Sequence, residues 1–183
     1  MTDTAHTKGR GLTSRLAQVP QWIWVMALSV TIYAIVARSI LGMLNTTNMH
    51  FRINLTPILE APSIIQMHVL GAVTAFLVGF VLLLSPKGFK LHKTLGWTWV
   101  VAMGITAASS FFMTGLNGAY YSPIHMLSAL TAVGLPFGLM AIRKRNVAAH
   151  SKQMTGMYLG GMGVAGLFSF LPGRLMFSLF FGG

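Results

Sequence analysis

An all-α, polytopic transmembrane helix bundle is the fold class this sequence predicts, and three observations carry it. Apolar residues make up 54% of the 183 residues and charged residues only 8%, against about 25% charged in ordinary soluble domains. The apolar residues fall into five runs, each long enough to cross a bilayer as a helix of about 20 residues. Lysines and arginines gather between alternate runs, where positive charge holds a loop on the cytoplasmic side.

Residues 1–20 form a polar, basic tail, and 21–183 read as one transmembrane domain. The first run, near 22–44, has no small-residue cleavage site after it, so it reads as an uncleaved span and not as a removable signal peptide. The others lie near 64–84, 94–114, 124–142 and 153–171. Pro172-Gly173 breaks the last run. The remaining tail, 174–183, is apolar but too short to span, so it is expected at the interface or packed back on the bundle.

Charge sets the direction. Lys8, Arg10 and Arg15 precede the first run, Lys87, Lys90 and Lys93 separate the second from the third, and Arg143, Lys144, Arg145 and Lys152 separate the fourth from the fifth. All fall on one face if the N-terminus is cytoplasmic and the C-terminus outside, which places the chain in the cell membrane as a multi-pass protein. Arg38, Arg52 and Arg174 fall towards the other face, and the outer loop 45–62 also carries His50 and Glu60.

Composition excludes several classes. The acids are only Asp3 and Glu60, too few for general acid–base catalysis of the hydrolase kind. Without cysteine there can be no disulfide, Fe–S cluster or c-type haem attachment. The excess of base sits between apolar runs, which favours a topological role over nucleic-acid binding.

Four histidines repeat in register. His68 opens the second run and His92 stands past its far end. His125 and His150 do the same for the fourth run, 57 and 58 residues further on. The pattern is a parallel 2+2 duplication, which relates its halves by an axis along the membrane normal and builds a four-helix core. His68 then faces His125 near the outer leaflet, and His92 faces His150 near the inner one. At 1.5 Å rise per residue the two layers lie roughly 20–30 Å apart. Two ligands per layer are too few for zinc, which wants three or four. They suit a haem iron, whose porphyrin supplies four donors, so the expectation is two haem b groups on bis-histidine sites. Lys93, Lys152 and Arg143–Arg145 are available for propionates inside, Arg38 and Arg52 outside. Gly71, Ala72, Ala75 and Gly79 lie on the His68 face, Ser128, Ala129 and Ala132 follow His125, and Gly96 follows His92. Such residues leave room for a flat ring, and they are also how membrane helices pack.

Plainer readings stand beside this one. A histidine at a helix mouth sits naturally in the headgroup layer. The ridge Gly156, Gly160, Gly163 reads as helix packing. Arg38, inside the first run, either serves a site or snorkels to the outer headgroups, and Glu60 is its candidate partner. A second function is a zinc or copper site, or a transporter, built from His68, His125, His50 and Glu60. A third is an assembly or structural subunit without a cofactor.

The segments "MHVLGAV", "LHKTLGW" and "RKRNVAAHSKQM" resemble the bacterial membrane proteins grouped as domain of unknown function 2306, over roughly 68–170. The histidine layout is also similar to that of the cytochrome b561 family, in which four helices hold two haems. Carried over by position, that resemblance implies His68 paired with His125, His92 paired with His150, and transmembrane electron transfer from a quinol or small reductant to an acceptor, with redox partner subunits. This chain has five runs where that family has six, and its histidine spacings are shorter.

Overall fold

The structure is a computed structural model, and it describes residues 21–44, 51–113 and 123–181. The basic tail 1–20, His50 and the residues 114–122 lie outside the described part. The described residues are all helical or irregular. They form α1 (Gln21–Leu44), α2 (Thr56–Leu59), α3 (Ser63–Leu84), α4 (Lys90–Phe111), α5 (Pro123–Arg143), α6 (Val147–Gly156), a π-helical segment (Met157–Met162), α7 (Gly163–Ser169) and α8 (Leu175–Phe181). The stretch from α6 through the π segment to α7 is one continuous rod.

Two helices, Ser63–Leu84 and His125–Arg143, are long and apolar enough to cross a membrane, and α1 holds a shorter apolar stretch, Met26–Gly42. Only 17% of the apolar window of α3 is buried. A core helix of a soluble protein would be mostly buried; here Leu70, Val73, Phe76, Leu77, Phe80 and Leu84 point outward, as a lipid-facing wall requires.

Two helix starts differ from the apolar runs. α4 begins at Lys90, ahead of the expected 94, because Lys90–Lys93 can be helical while their long side chains reach water. His92 therefore lies in the first turn of a helix and not in the loop before it. α6 begins at Val147, ahead of the expected 153. Its start is fixed by Asn146, whose side-chain oxygen accepts from the Ala149 N–H at 3.0 Å, satisfying a donor the helix leaves orphaned. The turn between α5 and α6 closes with Asn146 N–H to Ala141 O and Arg145 N–H to Ile142 O, both 2.9 Å. That motif wants a left-handed residue, usually glycine. Arg145 fills it with φ 58°, at a cost of about 1–2 kcal/mol. At the turn between α3 and α4, Lys87 Nζ donates to the carbonyls of Leu82, Leu83 and Ser85 at 2.7–2.8 Å, closing the C-terminal end of α3.

Packing closes α3, α4, α5 and the fifth rod into a ring: α3 packs on α4, α4 on α5, α5 on α6, and the π segment returns to α3. α1 lies outside this ring, against α7 and the π segment. The middle of the ring is filled by Ala75, Trp99, Ala102, Met103, Leu135, Met157, Tyr158 and Met162. Glycines let the backbones approach. A Cβ on Gly71 would meet Thr106 Oγ1 at 2.8 Å, and one on Gly79 would strike the Tyr158 ring and Trp99 Nε1. On the fifth rod only Gly163 of the expected ridge meets a neighbour, Met26 of α1; a Cβ on Gly156 or Gly160 would meet nothing.

The chain breaks after Ser169, and Gly173 takes φ +84°. The tail then packs back: Arg52 N–H and Asn54 N–H donate to Phe180 O and Leu179 O at 3.0 and 2.9 Å. Phe51, Phe170, Phe180 and Phe181 stack around this junction.

Candidate functional site

Each of the four histidines sits within the first two turns of a helix: His68 on α3, His92 on α4, His125 on α5 and His150 on α6. Successive rods are antiparallel, so the four starts alternate between the two ends of the ring. His68 and His125 share one end, His92 and His150 the other.

The first end is polar and buried. His68 Nδ1 lies 3.0 Å from Ser109 Oγ. Ser109 Oγ also lies 2.7 Å from the carbonyl of Ile105 and 3.1 Å from that of Thr106; with its proton given to either, its oxygen accepts from the Nδ1–H of the imidazole. Ser109 is only 1% exposed, which holds this partner in place. One residue on, Ser110 donates to Ser128 on α5, one turn after His125. His125 is itself buried, with its ring centroid 6.4 Å from that of Phe111. Thr131 completes a hydroxyl-rich lining on α5. Met67 and Met126, the sequence neighbours of the two histidines, point outward, as the 100° step of a helix demands.

At the second end, His150 Nδ1 lies 2.9 Å from Gly138 O. A carbonyl can only accept, so this imidazole too donates from Nδ1, and in its neutral form it has its lone pair on Nε2. Gly138 has no side chain to hold α6 away. His92 is half-buried, and its Nδ1 is buried without a hydrogen-bond partner. Burial lowers the His92 pKa, and the positive charge of Lys87, with that of His150 when protonated, lowers it further. That charge coupling places the two histidines in one electrostatic neighbourhood. Lys93 and Lys152 lie at this same end with exposed side chains.

The remaining candidates do not converge. Arg38 lies on the exposed face of α1 and Glu60 on an exposed turn, and no ion pair joins them. Among the described residues no group of three or more histidine, aspartate or glutamate side chains gathers as a metal site, and His50 lies outside the described part. The glycines and alanines near His68 serve packing: Gly71, Ala75 and Gly79 are filled against α4 and Tyr158. Ala129 and Ala132 face outward. Ser109 and Ser110 were the residues the sequence reading missed. Their signal was a serine doublet inside an apolar run, 41 residues from the histidine it serves.

Helices with lipid-facing walls, and histidines at both ends of the ring they close, define among the described residues an integral membrane protein. It belongs to the family described as predicted membrane protein (DUF2306), whose model matches residues 65–180. The match takes in all four histidines. No curated protein and no solved structure matches the chain.

Proposed function

We propose that this protein is a five-span membrane electron carrier, built as two parallel two-helix units around two haem b groups. His68 and His125 would hold one, His92 and His150 the other. The observation that carries this reading is the pinned Nδ1 of His150 on Gly138 O, repeated by His68 on Ser109. Imidazoles that ligate a metal almost always donate their other ring nitrogen to a fixed acceptor, which sets the tautomer and aims the lone pair.

The ring order supports the pairing. In the ring order α3 and α5 stand diagonally across the bundle, as do α4 and α6, the arrangement a group shared by each histidine pair would need. The buried Nδ1 of His92 without a partner is a polar atom that costs about 1–3 kcal/mol where nothing satisfies it. Lys93 and Lys152 would serve propionates at one end, and Arg52 lies towards the other. Held by two histidines at each end, haem would supply one-electron transfer and not oxygen chemistry. The chain's own part is to fix the ring tautomers, exclude water from the middle and set the layer spacing. A quinol or small reductant is the expected donor, and redox subunits are the expected partners.

The test is an absorbance spectrum of protein produced with ample haem and purified in mild detergent. A Soret band and a sharpened α band on dithionite reduction are expected. A colourless protein with intact helical circular dichroism overturns the proposal.

A further inference from the structure

We infer that the turn between α5 and α6 is a binding site for an anionic phospholipid of the basic leaflet, independent of any haem. An open groove of about 390 Å³ lies there, lined by Phe137, Met140, Ala141, Lys144 and Asn146. Its wall is apolar and exposed: Phe137 is 59% and Met140 42% accessible. Its mouth is cationic. Such a groove fits an amphiphile whose acyl chain lies along Phe137 and Met140 and whose phosphate meets Lys144.

Charge complementarity selects the head group. Lys87, Lys90, Lys93, Arg143, Lys144, Arg145 and Lys152 share this end of the bundle, while Glu60, the one acid among the described residues, stands at the other. Lys87 is engaged in closing α3. The side chains of Lys144 and Arg145 make no hydrogen bond or ion pair among the described residues. Arg145 also occupies a left-handed position that glycine would fill without strain. The turn thus keeps a guanidinium where backbone geometry favours its loss. A soluble acidic protein would match the charge but not the apolar wall facing the acyl region.

The experiment is native mass spectrometry of the full-length protein, detergent-purified and offered phosphatidylglycerol or phosphatidylcholine in turn. Retention of phosphatidylglycerol over phosphatidylcholine is expected. The Lys144→Gln/Arg145→Gly variant should lose it by about fivefold for each charge removed, and it should fold, because glycine suits the left-handed turn. Lys90→Gln removes one charge from the same end, away from the groove, and should keep selectivity, where Lys144→Gln alone should lower it about fivefold. Equal retention of the two lipids overturns the site, as does an equal loss in Lys144→Gln and Lys90→Gln. Haem content plays no part in this readout, so its outcome is separate from that of the electron-carrier proposal.

Discussion

The imidazole of His150 donates across the turn between α5 and α6 to the main-chain oxygen of Gly138, 2.9 Å away. This bond ties the start of α6 to the last turns of α5 and leaves one lone pair, on Nε2, for other use. The same division of labour recurs at the opposite end between His68 and Ser109. Two unrelated acceptors, a carbonyl and a hydroxyl, thus impose one tautomer on histidines from different halves of the chain.

If each end holds its own haem, the filled middle of the ring makes the two sites separable. His150→Ala and His68→Ala should each lower the haem-to-protein ratio from about two to about one, and the double variant should bind none. Pyridine haemochrome assay with protein quantitation measures this. Full haem content in both single variants would remove the bis-histidine assignment.

Ser109→Ala tests the tautomer argument without touching a ligand. The His68 Nδ1–H would lose its fixed acceptor, and affinity at that end should fall by about 10–100-fold. Haem titration of the apoprotein reads it. Ser110→Ala removes a neighbouring hydroxyl that bonds Ser128 and not His68, and it should leave the titration unchanged. Equal behaviour of the two variants would show that Ser109 acts only in packing.

How far the sequence could be read follows from what each signal measures. Hydropathy located the bodies of the helices, but it sees only their apolar part. It therefore missed the polar first turns at Lys90 and at Val147, where the Asn146 cap was the better marker. Histidine spacing revealed which rings share an end, because antiparallel rods of similar length carry that information directly. It could not reveal acceptors: Gly138 and Ser109 reach the histidines through folding. The glycine ridge on the fifth rod was legible as a pattern, but the rod is π-helical over Met157–Met162 and a Cβ on Gly156 or Gly160 would meet nothing. Gly163 alone kept its neighbour.

The proposed topology has a direct test, because the chain has no native cysteine. A membrane-impermeant maleimide applied to intact cells should label Ile53→Cys and not Lys90→Cys. Inverted vesicles should reverse the pattern. Both sites are exposed, so access is decided by sidedness alone. Labelling of both from one side would refute the five-span arrangement.

Gly79→Ala should destabilise the bundle. The added methyl would strike the Tyr158 ring and come within 2.7 Å of Trp99 Nε1, both in the filled middle. Overpacking of this kind costs about 1–3 kcal/mol, which should appear as a lowered Tm in detergent. Gly96→Ala serves as the control: its Cβ would meet nothing within 4 Å, and exchanging a helical glycine for alanine is neutral to mildly stabilising. Equal Tm values for Gly79→Ala and wild type would contradict the packing described.

The lowered pKa of His92 sets a pH dependence for the haem-free protein. The folded state binds this proton less readily than the unfolded chain, whose imidazole has the ordinary value of about 6.5. Above that pH both states are neutral at His92 and its contribution to stability is intact. As pH falls below it, the unfolded chain takes up the proton first, so stability declines until pH has passed the lowered folded value. With only two acidic side chains in the chain, little carboxylate titration overlies this. Tm measured from pH 8 to pH 5 should fall, and His92→Asn should flatten part of the slope. Burial is the largest cause of the shift, ahead of the charges of Lys87 and His150. Added salt screens those charges and leaves desolvation untouched, so most of the His92 slope should survive at about 0.5 M salt. A slope that vanishes with salt would mean that the neighbouring cations, and not burial, are the main cause of the lowered His92 pKa.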